Sequence, residues 1–469
     1  MKLIPLLLTS TILLTGCQTF RDYARPDNPV GTAQVDLTRD GAKFQQTEPV
    51  LAWWQEFNDP QLASLVEQSM QTNLDVRIAL ANLFEARAIS RETGFDRFPT
   101  VTSQASFARE RLSEEGIQGA PADNTVNNYQ AGFDAFWELD LFGRVSERIA
   151  AQEALEDATL ADLQQIYVSV AAEVAATYIE LRGAQYRLDI AKRNAANQQE
   201  TLDLTNRLER GGRATALDVA RAQTQLDLTK STIPPLDAEV TANINRLSVL
   251  TGQVPDALRG QLSGVKPLPS LPISIGVGNA EDLLKRRPDI RAAERELAAS
   301  VAQYNVASTE LFPTVNIVGS LGFLATSLGS FGATALAGTL GPTLNWRAFD
   351  LGRVRAEIDQ ADARAEAALV RYEKTVLEAL EETQTALSDF SREEQRRATL
   401  QNAARSSKQA ANLAQQRFDQ GISDFLDVLD AERTQLQAED TLAQSEIAAA
   451  LDLITIYKAL GGGWQVVEN

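Results

Sequence analysis

The spacing of apolar residues changes period twice in each half of the chain. Residues 73–97 and 289–311 are polar, Ala-rich and free of Gly and Pro until their ends, a composition that favours helix. The period then falls to two. Val101, Ala105 and Phe107 alternate with Thr102, Gln104 and Ser106, and Tyr129, Ala131, Phe133, Ala135 and Trp137 alternate with Gln130, Gly132, Asp134 and Glu138. In the second half Val315, Ile317, Leu321 and Phe323 form one apolar file, and Leu340, Leu344 and Trp346 another. This predicts strands at about 100–108, 129–138, 314–324 and 339–347, each near the length that crosses a bilayer as a tilted β-strand. Gly143-Arg144 and Gly352-Arg353 then open helical stretches over 144–210 and 353–420; the first has no Pro and one Gly, the second neither. Leu163, Ile166, Val170, Val174 and Leu181 keep the spacing of a packed helix. At the α-helical rise each stretch would be about 100 Å long. Gly211-Gly212 and Gly421 suit left-handed caps. Shorter helices return over 214–251 and 424–460, the first broken or kinked at Pro234-Pro235.

The two halves repeat one another. "DVR" at Asp75–Arg77 and "DIR" at Asp289–Arg291 each precede an "FPTV", at Phe98–Val101 and Phe312–Val315. "WELDLFGRV" from Trp137 corresponds to "WRAFDLGRV" from Trp346, and "RLERGGRATALDV" from Arg207 to "RFDQGISDFLDV" from Arg417. Matches in one order at a near-constant offset of about 210 residues mark a duplicated unit. The expected organisation is a signal peptide (1–16), an extended N-terminal segment (17–58), a first repeat (59–252), a Pro-rich linker (253–279), a second repeat (280–464) and a short tail (465–469).

Composition narrows the chemistry. Lys and Arg total 44 against 63 acids, a net charge of −19, which disfavours nucleic acid as a partner. There is no histidine and one cysteine, so Ser-His-Asp and Cys-His catalysis, His or Cys zinc sites and disulfides within the chain are excluded. "ISIGVGNAEDLL" (Ile273–Leu284) has Glu281 where a dinucleotide fingerprint needs its third Gly, and reads as linker. Acid pairs such as Glu381-Glu382 and Glu393-Glu394 read as solvated helix faces. No enzyme, metal or cofactor is expected. Cys17 is informative by position: Lys2, an apolar run and "LTGC" (Leu14–Cys17) resemble a bacterial lipoprotein signal, with Cys17 the lipid acceptor. Gln18, rather than Asp, after the Cys favours the outer membrane.

Four amphipathic strands cannot close a membrane barrel, because both edges would expose backbone groups to lipid. If they span a bilayer, the chain oligomerises. The order helix, FPTV, two strands, long helix, Gly tip and return helix, present twice, resembles the outer-membrane efflux protein (TolC) family. "WWQEFNDPQL" (Trp53–Leu62), "RRPDIRAAE" (Arg286–Glu294), "YKALGGGW" (Tyr457–Trp464) and Cys17 are similar to the OprM-like lipoprotein branch, which serves resistance-nodulation-division (RND) efflux systems. The resemblance implies a mainly α chain with a membrane β-barrel: a homotrimer with a 12-stranded barrel, a long α-helical barrel, a periplasmic membrane-fusion adaptor and an inner-membrane RND pump as partners. It further implies that Leu426, Asp427 and Asp430 line a gate at the periplasmic tip. Arg207, Gly211, Gly212, Arg417 and Gly421 mark the tip turns and candidate adaptor contacts, with Arg417 a candidate salt-bridge partner for the acids by composition. The bland alternative for the two aspartates is a solvated helix N-terminus favoured by the helix dipole. Two other functions compete: a channel for type I protein secretion, and a non-channel periplasmic coiled-coil lipoprotein.

Overall fold

The computed structural model describes residues 20–26, 36–38, 41, 43–111, 113 and 125–466. Its elements in chain order are β1 (Phe44–Gln45), α1 (Pro60–Thr72), α2 (Leu74–Gly94), β2 (Thr100–Arg111), β3 (Thr125–Leu139), α3 (Arg144–Arg210), α4 (Ala216–Ser231) and α5 (Ile233–Leu250). There follow α6 (Arg259–Leu262), β4 (Ile275–Gly276), α7 (Ala280–Arg286), α8 (Pro288–Thr309), β5 (Thr314–Ala325), β6 (Leu336–Asn345), α9 (Leu351–Asp419) and α10 (Phe425–Ala459). The described residues are 68% helical. The long helices α3 and α9 run for 67 and 69 residues.

The chain divides into two compact units, and both cut across the sequence repeats. One comprises 1–27, 83–159 and 292–372; the other comprises 28–82, 160–291 and 373–469. The cause is strand pairing. In the first unit the sheet order is β2-β3-β5-β6, antiparallel throughout, so β3 of the first repeat bonds to β5 of the second. Register places Val101, Phe107, Tyr129, Phe133, Trp137, Val315, Ile317, Leu321, Phe323, Leu340 and Leu344 on one face. Thr102, Gln104, Gln130, Asp134, Glu138, Asn316, Ser320, Thr339 and Thr343 share the other, where Ser320 and Thr339 hydrogen-bond at 2.8 Å. Most of the apolar face is exposed, Phe133 at 61% and Leu340 at 82%, and Phe331 packs on Phe323 near one end of it. Gly132 and Gly322 oppose each other so closely that a Cβ on Gly132 would lie 2.8 Å from the Gly322 Cα. Beyond the strands the two repeats share a contact. Trp137 donates its indole N–H to the Arg97 carbonyl (3.1 Å) and Trp346 to that of Leu311 (3.0 Å), each just before an FPTV.

The N-terminal segment, expected to run extended over 17–58, has no regular structure over 20–26, where it is fastened to α8 and α9, and it includes a 3-10 turn at Trp53–Phe57. The Arg21 backbone N–H donates to Asn305 Oδ1 at 2.8 Å, Asn305 Nδ2 returns a bond to the Arg21 carbonyl at 3.1 Å, and the Arg21 guanidinium reaches Asp362 at 2.5 Å.

In the second unit the family-like motifs meet. Trp53 stacks on Tyr457 (5.2 Å, 12°), and Gly463, at φ +114°, leaves room beside Trp54 that a Cβ would fill. Trp464 Nε1 donates to the Arg286 carbonyl (3.1 Å), while buried Arg287 reaches the Ala459 carbonyl at 2.8 Å and pairs with Asp289 and Glu382. Residues 273–284, read as linker, contain a two-residue strand after all: Phe44↔Ile275 and Gln45↔Gly276 pair in parallel. The first return helix, expected over 214–251, is two helices. The break falls at Thr232, which puts Pro234 in the first turn of α5, where a missing N–H costs no helical bond. The second return helix has no proline and runs unbroken for 35 residues.

Candidate functional site

The two tips are built alike. At the end of α3 the Arg213 N–H donates to the Leu208 carbonyl (2.8 Å) and the Gly212 N–H to that of Glu209 (2.9 Å), with Gly212 at φ +70°. At the end of α9 the Ile422 N–H donates to the Arg417 carbonyl (2.9 Å) and the Gly421 N–H to that of Phe418 (2.8 Å), with Gly421 at φ +71°. Both are Schellman caps. Gly212 and Gly421 therefore carry the left-handed residue; Gly211 donates to the Arg207 carbonyl at 3.2 Å and needs no positive φ. The turns then diverge. Thr215 and Asp218 form a capping box on α4, whose hydrogen bonds from Thr215 hold the Asp218 carboxyl below its ordinary range, whereas Asp424 caps α10 with no side-chain bond.

Leu426, Asp427 and Asp430 lie in the first turns of α10. Phe425 and Val428 on the same helix are buried, and Phe425 packs on Phe418 (5.4 Å) in a cluster with Leu202, Ala222 and Leu226. That cluster turns Leu426 (52% exposed), Asp427 and Asp430 outward. Leu426 and Asp430 border a groove of about 450 Å³ shared with Leu217 and Arg221 of α4. Asp430 accepts from Arg433, three residues on, at 2.6 Å. Within the chain, then, Asp430 pairs with Arg433, while the Arg417 backbone carbonyl accepts in the cap of α9. Arg207 lies with Thr201 and Glu432 on the wall of a polar cavity.

Two further contacts join α3 of the first repeat to α10 of the second, and sequence reasoning did not find them. Arg187 is bidentate to Asp440, Nε to Oδ1 at 2.8 Å and the terminal nitrogen to Oδ2 at 3.2 Å. Thr201 Oγ1 donates to Glu432 Oε1 at 3.1 Å; burial pushes that carboxyl up, with the Thr201 bond opposing, and Oε2 has no partner among the described residues. Neither pair has a local spacing signal. Cys17 lies outside the described residues. Among the described residues no helix is long and apolar enough to cross a membrane, and no three His, Cys, Asp or Glu residues group as metal ligands.

One unit carries an amphipathic four-stranded sheet, and the other carries two long helices that end in like caps. The sequence profile of the outer membrane efflux protein family matches residues 65–253 and 279–462, and the chain belongs to that family. It is 30% identical to the toluene efflux pump outer membrane protein TtgC of Pseudomonas putida, over 98% of this chain and 95% of that one. It is 29% identical to the solvent efflux pump outer membrane protein SrpC, also of Pseudomonas putida, with both chains fully covered. Its fold superposes on a solved structure of the outer-membrane channel OprN with a TM-score of 0.90 at 42% identity, covering 96% of this chain and all of the other. The protein is thus an outer-membrane efflux channel component, from a family of transport channels rather than enzymes.

Proposed function

We propose that three copies of this chain pool their sheets into one 12-stranded barrel and extend it inward as a helical conduit. One observation carries the reading: the sheet has a largely exposed apolar face and two edges, β2 and β6, each bonded on one side only among the described residues. In a bilayer the apolar face meets lipid, and the open edges are satisfied only by joining β2 of one copy to β6 of the next. Two copies would give eight strands, whose interior side chains fill; three give twelve and leave a lumen. The polar face, with Asp134 and Glu138, then lines the pore.

The conduit is a passive duct for small xenobiotics, in keeping with relatives named for solvent and toluene efflux. An inner-membrane pump supplies the energy, and a periplasmic adaptor engages the tips around Arg207, Gly211, Gly212, Arg417 and Gly421. Threefold symmetry would bring three copies of Leu426, Asp427 and Asp430 to one axis, forming a narrow acidic entrance that favours cations. Opening parts the second hairpin (α9–α10) from α3, breaking Arg187–Asp440 and Thr201–Glu432. Cys17 carries the lipid. Palmitate labelling of the wild type and of Cys17→Ser tests the anchor; a label that persists in the variant rules it out. Conductance of the purified protein in planar bilayers tests the duct, and a silent, correctly folded protein rules it out.

A further inference from the structure

A cavity of about 650 Å³ lies between α3, α9 and α10, within one compact unit, and its lining is mostly polar. Asn194, Gln198 and Thr201 line it from α3, at a spacing that puts them on one helical face. Glu432, Gln435 and Glu439 line it from α10 at the same kind of spacing. Thr201 ties the two faces together by its bond to Glu432 Oε1 at 3.1 Å. The cations of the lining, Arg193, Arg207 and Lys408, are all exposed at the rim, and Arg193 is already 3.0 Å from Asp189. Below the rim the lining carries two half-buried carboxylates, Glu432 and Glu439, and no cation.

Three polar atoms of this floor are buried without a hydrogen-bond partner among the described residues: Gln198 Oε1, Glu432 Oε2 and Asn194 Nδ2. Gln198 as a whole is only 4% exposed. The neighbouring donors are committed elsewhere. The Thr201 hydroxyl serves the other oxygen of Glu432, and the Gln435 amide donates to Glu439 at 2.7 Å. Buried polar atoms in folded proteins are nearly always bonded, and an unanswered buried carboxylate is the costliest of them to leave open. Two open acceptors and one open donor on the same floor describe the complement of a ligand. Water would supply hydrogen bonds but no charge to answer Glu432.

We propose that this cavity binds a small hydroxylated primary amine, of the amino-sugar class, in its protonated form. The ammonium donates to Glu432 Oε2 and Gln198 Oε1, and a neighbouring hydroxyl oxygen accepts from Asn194 Nδ2. The volume lies within the range of small-molecule pockets, about 300–1,000 Å³. A neutral sugar brings the hydroxyls without the charge, and an anion would meet two carboxylates. None of Leu426, Asp427 and Asp430 lines this cavity, so the site is distinct from the acidic entrance.

The test uses the purified full-length protein in a detergent without a sugar headgroup and a buffer without an amine. Equilibrium dialysis with radiolabelled D-glucosamine should show one saturable site per chain. D-glucose, which replaces the amine by a hydroxyl, and N-acetyl-D-glucosamine, which removes the charge, should not compete. Cyclohexylamine, a ring ammonium without hydroxyls, should compete about fivefold more weakly, the scale of one neutral hydrogen bond. Glu432→Gln should weaken binding about tenfold or more, as expected for loss of a bond to a charged group, and Gln198→Met about fivefold. Asn412→Trp, at an exposed position of the lining, should block it. Asp427→Asn/Asp430→Asn should leave it unchanged, and heat-resistant oligomer on gels shows that each variant has assembled. Absence of saturable D-glucosamine binding, equal competition by D-glucose, binding indifferent to Glu432→Gln and Gln198→Met, or binding lost with the tip aspartates would each overturn the assignment.

Discussion

Replacing Arg187 by Ala removes both nitrogens that hold Asp440 and leaves the backbone of α3 untouched. The pair makes two charge-assisted bonds, at 2.8 and 3.2 Å, and its side chains are 26% and 35% exposed. Fully buried, such a pair would cost several kcal/mol to break; at this exposure, screening brings it to about 1–2 kcal/mol. Asp440 also keeps a bond from Gln444 at 2.6 Å, which softens the loss. If the pair exists only while the hairpins are together, its removal shifts the closed-to-open ratio by about 5- to 30-fold. Open probability in planar bilayers reads this directly. Arg187→Ala and Asp440→Ala should each raise it, and the double variant should match the singles rather than add to them. Additive effects, or singles indistinguishable from wild type in well-assembled channels, would refute a clasp between the repeats.

Other outcomes follow from single sites. Gly132→Val and Gly322→Val should each reduce assembled channel in the membrane, because the new Cβ meets opposing backbone inside 3.0 Å, while Gly341→Val, with nothing within 4 Å, should assemble as wild type; heat-resistant oligomer on gels reads the contrast. Asp427→Asn/Asp430→Asn should lower cation preference, measured as a reversal-potential shift in a salt gradient, and an unchanged potential would remove these residues from the entrance. Asp452 is pushed up to about 6 by burial and then by Asp389 and Glu393. A carboxyl raised on folding stabilises when protonated, and that contribution is lost as pH rises through about 6. Asp452→Asn should therefore raise Tm at about pH 7.5 and leave it nearly unchanged at about pH 3, below the ordinary carboxyl value, a difference that thermal melts in two buffers would expose or deny.

How far the sequence reached depended on whether a feature was local. Strand faces were legible because alternation alone separates Phe133 from Asp134. The long helices were legible because no proline interrupts them and Gly212 and Gly421 end them in left-handed caps. Pro234-Pro235 announced a break, but proline acts on the residues before it, so the helix stops at Thr232. Pairing of β1 with β4 had no signal: two residues cannot show a period. Self-similarity revealed the duplication without revealing packing, since β3 chooses β5 across repeats and the compact units follow that choice. At the tip, the spacing rule of a single helix pairs Asp430 with Arg433, three residues on, a partner that composition alone had not singled out. Arg187–Asp440 and Thr201–Glu432 are invisible to any local rule, because each joins residues of different helices.

The most direct measurement of the central claim is the stoichiometry of the protein extracted from outer membranes, taken by native mass spectrometry on the same sample that is recorded in planar bilayers. Three chains per particle, with one ohmic pore per insertion event, is the result expected of sheets joined edge to edge. A single chain per particle, well folded yet electrically silent, would contradict it.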